Sequence, residues 1–184
     1  MRYAAALEGL DRRALPPVEK WRPEKTGDID IVIKADGTWF HEGAPINRAP
    51  LVRLFSTILR RDGEDYFLVT PVEKLKIAVE DAPFIAVLMK TAGEGERRKI
   101  TFTTNLADDV SADAGHPIVL SKSSTGENTP YIEVRAGLAA RIARSVYYDL
   151  VALAERRQMK DGAVYGVWSG GEFFPLGPAG DGDH

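Results

Sequence analysis

Twice in this chain a helical pattern runs out through a pair of arginines, meets Asp-Gly and passes into a short aromatic strand. The first succession is Leu51 to Arg61, Asp62-Gly63 and Tyr66-Phe67-Leu68-Val69; the second is Leu138 to Arg157, Asp161-Gly162 and Val164-Tyr165-Gly166-Val167-Trp168. A glycine just past the last periodic residue supplies the left-handed backbone that ends a helix. Recurrence of the whole succession predicts a duplicated supersecondary unit, and so two small lobes of similar build. A chain of 184 residues accommodates two such lobes, of roughly 90 residues each, burying a core together. The expected fold class is α+β, with a helix on an antiparallel sheet in each lobe. Expected boundaries are an N-terminal arm over 1–28, lobes over 29–95 and 96–177, and a flexible tail over 178–184.

Local patterns fill in this outline. Pro16-Pro17, Trp21 and Pro23 among charges read as an arm without its own core, anchored by Trp21. Ile29, Ile31 and Ile33 have the period of a strand with one buried face, and Asp36-Gly37 turns it into Thr38-Trp39-Phe40-His41. Asn47 stands at a cap position, with Pro50 in the first helical turn. Thr70-Pro71-Val72-Glu73 has the spacing of a capping box, but the alternation over Lys74 to Val79 favours a strand. Phe84 to Met89 reads as a buried strand, and Gly93 to Lys99 as the turn between lobes. In the second half Leu138, Ile142, Val146 and Leu150 predict one long central helix.

The chain has no cysteine, which removes disulfides, thiolate nucleophiles and thiolate metal sites together. A net charge of -3 gives no general attraction to nucleic acid. The first 13 residues lack the apolar core of a signal peptide, and no stretch approaches ~18 apolar residues, so a cytoplasmic protein without a membrane span is expected.

No catalytic motif stands out. His41, His116 and His184 are far apart in sequence, without partners at helical spacing for a metal clamp. Asp108, Asp109 and Asp113 lack the alternating ligands and closing glutamate of a calcium loop, and read as a solvated acidic turn. Gly166-Val167-Trp168-Ser169-Gly170 lacks the nucleophile-elbow spacing and leads into a hairpin. No cofactor or metal is expected, and an enzyme is the third reading.

Arg135 lies at an expected strand-to-helix junction, with Arg141 and Arg144 in the next turns. Guanidinium groups so placed suit bidentate capture of a carboxylate or phosphate; the competing reading is internal ion pairing with Glu80, Asp81 or Glu133. The leading expectation is therefore a small anionic ligand in a cleft between lobes, held by Asn105, Arg135, Arg141 and Arg144, with Asp81 as counter-charge. The alternative is a protein-interaction or self-associating module using the aromatic hairpins around Trp39 and Trp168.

Several strings carry a resemblance. They include Asp36-Gly37-Thr38-Trp39-Phe40, Leu51-Val52-Arg53-Leu54-Phe55, Leu68-Val69-Thr70-Pro71-Val72-Glu73 and Glu80-Asp81-Ala82-Pro83-Phe84. Thr104-Asn105, His116-Pro117, Pro130-Tyr131, Val134-Arg135 and Gly137-Leu138, with Arg141, Arg144 and Tyr147-Tyr148, extend them. Together they resemble the uncharacterised bacterial family known as domain of unknown function 1285. The resemblance implies an α+β fold with a repeated helix-on-sheet motif like a helix-grip unit, and a role in ligand-dependent signalling or regulation.

Overall fold

The alternating isoleucines form β1 (Lys25–Ile33), with Ile31 and Ile33 buried. These elements come from a computed structural model that describes residues 15–180, and the backbone divides into two units after Glu80. The turn at Asp36-Gly37 follows the sequence reading: Thr38 N–H donates to the Asp36 carboxylate at 2.9 Å and Gly37 takes φ 87°. The chain returns as β2 (Trp39–His41) and turns again into β3 (Ala44–Pro45). Helix α1 (Ala49–Thr57) starts after Arg48, one residue beyond the expected Asn47 cap, with Pro50 in its first turn.

Helix α1 stops four residues short of Arg61. The Ser56 and Thr57 hydroxyls bond back to the carbonyls of Arg53 and Leu54, each at 2.6 Å, a competing arrangement that weakens a helix end. The arginine pair lies instead on β4 (Leu59–Asp62), and Gly63, at φ 63°, is part of the turn into β5 (Asp65–Val69). Thr70 then makes a turn, its Oγ1 accepting from Val72 N–H at 3.4 Å and Glu73 N–H at 3.1 Å, before β6 (Glu73–Val79). The strand favoured by alternation is the one that forms.

The six strands lie in the order β3-β2-β1-β6-β5-β4, antiparallel except for the central pair β1 and β6. The second unit repeats that plan with β7 (Phe84–Ala92), β8 (Lys99–Thr104), β9 (Asp109–Ser111), β10 (Ile118–Lys122), β11 (Asn128–Arg135) and β12 (Leu138–Ile142). Its order is β10-β11-β12-β7-β8-β9, with β12 and β7 the parallel central pair. Each sheet is thus one meander running outward and a second running back to meet it. The duplication resides in the sheets. Helix α1 connects the two meanders of the first sheet, whereas α2 (Arg144–Ala152) follows the second sheet entirely.

The long helix expected from Leu138 is therefore replaced by a strand, a nine-residue helix and the start of another strand. Leu138, Ala140 and Ile142 are buried on β12, while Ala136 and Gly137 take positive φ of 46° and 76° in the preceding turn. A spacing of four is compatible with both a strand and a helix, so Leu138 and Ile142 fit either; the positive-φ turn decides for the strand. After α2 the chain forms β13 (Glu155–Met159), β14 (Gly162–Ser169) and β15 (Glu172–Pro178), a separate antiparallel sheet in that order. Arg156 and Arg157 lie on β13, and Asp161 stands in the hairpin turn before Gly162.

Gly93 to Lys99, read as a boundary between lobes, connects β7 to β8 inside the second sheet. Pro178 closes β15, and Ala179 is buried with its N–H bonded to Ala163 O at 2.9 Å, so the chain remains ordered past the expected start of the tail. Expectations for residues 1–14 and 181–184, including His184, lie outside the described residues.

Trp39 is 2% exposed and stacks on Phe55 of α1 with centroids 6.4 Å apart. Its indole Nε1 is buried with no hydrogen-bond partner. An orphaned buried donor offsets part of what the ring contributes. Trp39→Phe is expected to change stability by less than about 1 kcal/mol, because the lost volume is balanced by removal of that donor. Urea unfolding would check this, and a loss of several kcal/mol would mean that the indole N–H is satisfied in solution.

Arg60 fastens the N-terminal arm. The residue is 6% exposed, and its Nη1 donates to the carbonyls of Val18 at 2.9 Å and Trp21 at 3.0 Å. Its Nε and Nη2 grip Asp62 at 3.0 and 2.9 Å, and Lys74 Nζ approaches the same carboxylate at 2.6 Å. Burial raises the Asp62 pKa, but the hydrogen bonds from Lys74 and Arg60 outweigh it and leave the carboxyl below its ordinary value. A depressed folded pKa means that the unfolded chain takes up the proton first. The stabilisation is complete above the ordinary carboxylate range and is lost as pH falls through the folded value. The stability gap between the protein and Asp62→Asn should therefore narrow between pH 7 and pH 3 in urea titrations; a constant gap would assign the acid sensitivity elsewhere.

Candidate functional site

The three-stranded sheet has unlike faces. On one, Val167 and Ser169 are fully buried and Phe174 and Leu176 nearly so. Ser169 Oγ accepts from Ile100 N–H at 2.9 Å and donates to Ala112 O at 2.7 Å, which ties β14 to β8 and the segment after β9. Gly170, at φ 59°, adds a bond from its N–H to Arg98 O at 3.0 Å; a Cβ there would meet Ala112 O at 2.9 Å.

The other face carries a ladder across all three strands. Arg157 on β13 places its guanidinium 4.8 Å from the Trp168 ring and 5.2 Å from the Phe173 ring. Trp168 and Phe173 stand directly opposite on β14 and β15 and meet edge to face at 5.4 Å. Glu155 accepts the Trp168 indole N–H at 2.8 Å, which fixes the ring's orientation. Gly166 makes room for this packing: a Cβ there would fall 2.7 Å from Phe173 Cζ and 2.5 Å from Phe174 O. Trp168 and Phe173 are half-buried and Arg157 is exposed, so the ladder is held in place yet open on one side. Of the two predicted interaction residues, Trp168 has an accessible setting; Trp39 is core.

The residues proposed from sequence for an anionic ligand lie in the second unit, engaged with other groups. Asp81 carries a side chain 6% exposed; its Oδ1 accepts from Tyr131 Oη at 2.8 Å and from Ser124 N–H at 3.1 Å, and Arg141 Nε lies 3.6 Å from Oδ2. Burial first, and then Asp81, push the Tyr131 phenol well above its ordinary pKa, so it remains a donor. Arg135 lies over the Phe84 ring at 5.2 Å, with Asp108 at 3.8 Å. Burial lowers the Arg135 pKa while Asp108 opposes that shift. Asn105 Oδ1 accepts from Ile85 N–H at 3.0 Å, and Asn105 N–H bonds Ile85 O at 2.8 Å, a mutual clasp onto β7. Arg144 opens α2 and is exposed. The internal ion pair weighed in the sequence is present as Arg141 with Asp81.

The other polar groups disperse. Asp109 binds Thr103 Oγ1 at 2.6 Å and Lys90 at 3.6 Å, while Asp113 binds the His116 ring at 3.0 Å. Among the described residues no group of three or more histidines and carboxylates is placed to hold a metal ion. A cavity of about 10 Å³ in the first unit, lined by Phe55, Ile58, Leu68, Thr70, Glu73 and Leu75, has room for a water molecule and no more. No helix among the described residues is long and apolar enough to cross a membrane.

Sequence reasoning missed Glu155, Arg157, Gly166 and Ser169. The signal was present: Glu155 and Arg157 are two apart, as are Gly166 and Trp168, which places each pair on one strand face. It was hidden by reading the helix through to Arg157.

Comparison with known families and structures agrees with this architecture. The N-terminal domain of DUF1285, a domain of unknown function, matches residues 16–82, and the C-terminal domain of the same family matches 83–176. No curated protein matches the chain. A crystal structure of a DUF1285 family protein from Silicibacter pomeroyi DSS-3 is similar with TM-score 0.85 and 47% identity, over 96% of this chain and 94% of that one. A DUF1285 family protein from Shewanella baltica OS155 is similar with TM-score 0.54 and 27% identity, over 66% of this chain and 90% of that one. With both family domains in sequence order and a relative of this identity along nearly its whole length, the chain belongs to the DUF1285 family.

Proposed function

We propose that this protein acts by binding another protein on the open face of its three-stranded sheet. The observation that carries the reading is the ladder of Arg157, Trp168 and Phe173, held by Glu155 before any partner arrives. Tryptophan and arginine dominate the energetics of protein interfaces, and side chains already fixed lose little entropy on contact. A regulatory role through such association is consistent with the family resemblance. The reading is preferred over a small anionic ligand because Arg135 and Arg141 already face Asp108 and Asp81, and Asn105 is spent on Ile85. An anion would have to displace those carboxylates.

The test is a matched comparison on a purified partner. A polypeptide retained from extract by the protein would be purified and titrated calorimetrically against wild type, Trp168→Ala and Trp39→Phe. Loss of a central tryptophan typically costs 2 kcal/mol or more, so roughly 30-fold weaker binding is expected for Trp168→Ala, with Trp39→Phe unchanged. Equal affinity for wild type and Trp168→Ala would overturn the reading.

A further inference from the structure

The binding sheet also has an open edge. Among the described residues β13 pairs with β14 alone, in an unbroken register from Glu155 opposite Gly166 to Met159 opposite Gly162, and all five of its residues are exposed. Proteins usually blunt such edges with proline, bulges or short length. The first sheet does so at β3, two residues long and ending in Pro45. β9 has three residues, β15 contains Pro175 and Pro178, and β10 lies beside β15. β13 carries neither a proline nor a bulge, so its outward N–H and C=O groups form a regular template.

We propose that β13 takes up an extended acidic segment of a partner protein as a fourth strand of this sheet. The inference rests on the reading of this sheet as the binding surface and names the chemistry of what binds. Main-chain hydrogen bonds would supply the attachment and alternate side chains the selectivity. The edge carries a small excess of positive charge on a chain whose net charge is -3: Arg156, Arg157 and Lys160 are exposed, against Glu155, which also holds the Trp168 indole, and Asp161 in the turn. Successive residues face opposite sides of a strand, so alternate carboxylates on an incoming strand would stand opposite Arg156, the favourable cross-strand arrangement, while the apolar residues between them lie on the face of Arg157 and Trp168. A second copy fits less well. Antiparallel self-pairing over all five residues sets Arg157 against its own counterpart, and like charges directly opposite are destabilising.

The probe is a fluorescein-labelled synthetic peptide alternating glutamate with valine, compared with one in which lysine replaces glutamate. The glutamate peptide should bind the full chain more tightly, and amides of residues 155–159 should gain protection from hydrogen exchange on binding. Arg156→Glu, which leaves the Arg157 stack on Trp168 untouched, should weaken binding roughly tenfold. Equal binding of the two peptides, or binding without protection of 155–159, overturns the proposal. Protection of 155–159 that rises with protein concentration in the absence of peptide also overturns it, in favour of a second copy. The two readings separate cleanly: if Trp168→Ala abolishes binding of the natural partner while Arg156→Glu does not, the open face stands and the strand edge falls.

Discussion

Arg60→Ala is expected to destabilise the first unit by about 2–4 kcal/mol, through the loss of charge-assisted bonds to buried carbonyls. The guanidinium serves three acceptors at once, the carbonyls of Val18 and Trp21 in the arm and the Asp62 carboxylate on its own strand. Its removal leaves Val18 O with the Trp21 N–H at 3.3 Å and Trp21 O with Arg22 Nη1 at 2.8 Å, and takes from the Asp62 carboxylate a partner it otherwise shares with Lys74. Arg60→Lys should recover little, because an ammonium has no planar fork to serve carbonyls and carboxylate together. Urea denaturation would measure the loss, and faster hydrogen exchange at Lys20 and Trp21 would locate it. A change below ~0.5 kcal/mol would show that the arm is held by packing of Val18 rather than by Arg60.

Ser169→Ala should cost a similar amount, about 2–4 kcal/mol, because two buried backbone groups, Ile100 N–H and Ala112 O, both lose the hydroxyl that bonds them. Ser169 is fully buried, and its hydroxyl both accepts from Ile100 N–H and donates to Ala112 O. The substitution removes one oxygen and creates almost no cavity, so nearly all of the loss is polar. Its signature is therefore local: the Ile100 amide should exchange much faster, while the amides of β1 keep their rates. An unchanged Ile100 rate would mean that water replaces the hydroxyl. The same variant should lower partner affinity less than Trp168→Ala, since the ladder lies on the opposite face.

How far the sequence could be read depended on which interactions were local. The Asp36-Gly37 hairpin and the strand after Thr70 were legible because turn chemistry and period-two alternation act over a few residues, whereas the strand expected to be buried from Phe84 to Met89 is buried only over Phe84 to Ala86, with Val87 and Leu88 exposed. The helix through Leu138 and Ile142 was misread because spacing by four satisfies two periods, and the arginines after each helix revealed nothing about pairing. Strand order was out of reach: the parallel contact of β1 with β6 joins residues more than 40 positions apart, such as Lys25 and Glu73. At the candidate site Trp168 was legible as a large aromatic beside a glycine turn. Its partners were not, since the stack with Arg157 exists only once β13 pairs with β14. Trp39 had the same local appearance, and only packing on Phe55 distinguishes the two.

The division after Glu80 falls between neighbouring carboxylates that belong to different units. Glu80 accepts from Ala35 N–H at 2.8 Å and pairs with Lys34 at 3.1 Å, whereas Asp81 accepts from Tyr131 and Ser124. The two family domains instead meet between residues 82 and 83. A C-terminal fragment begun at residue 83 would leave the Tyr131 hydroxyl and the Arg141 guanidinium without the carboxylate that both contact, and one begun at Asp81 would keep it. The peptide bond between Glu80 and Asp81 is thus the place to cut this chain, because there each half retains its own acid.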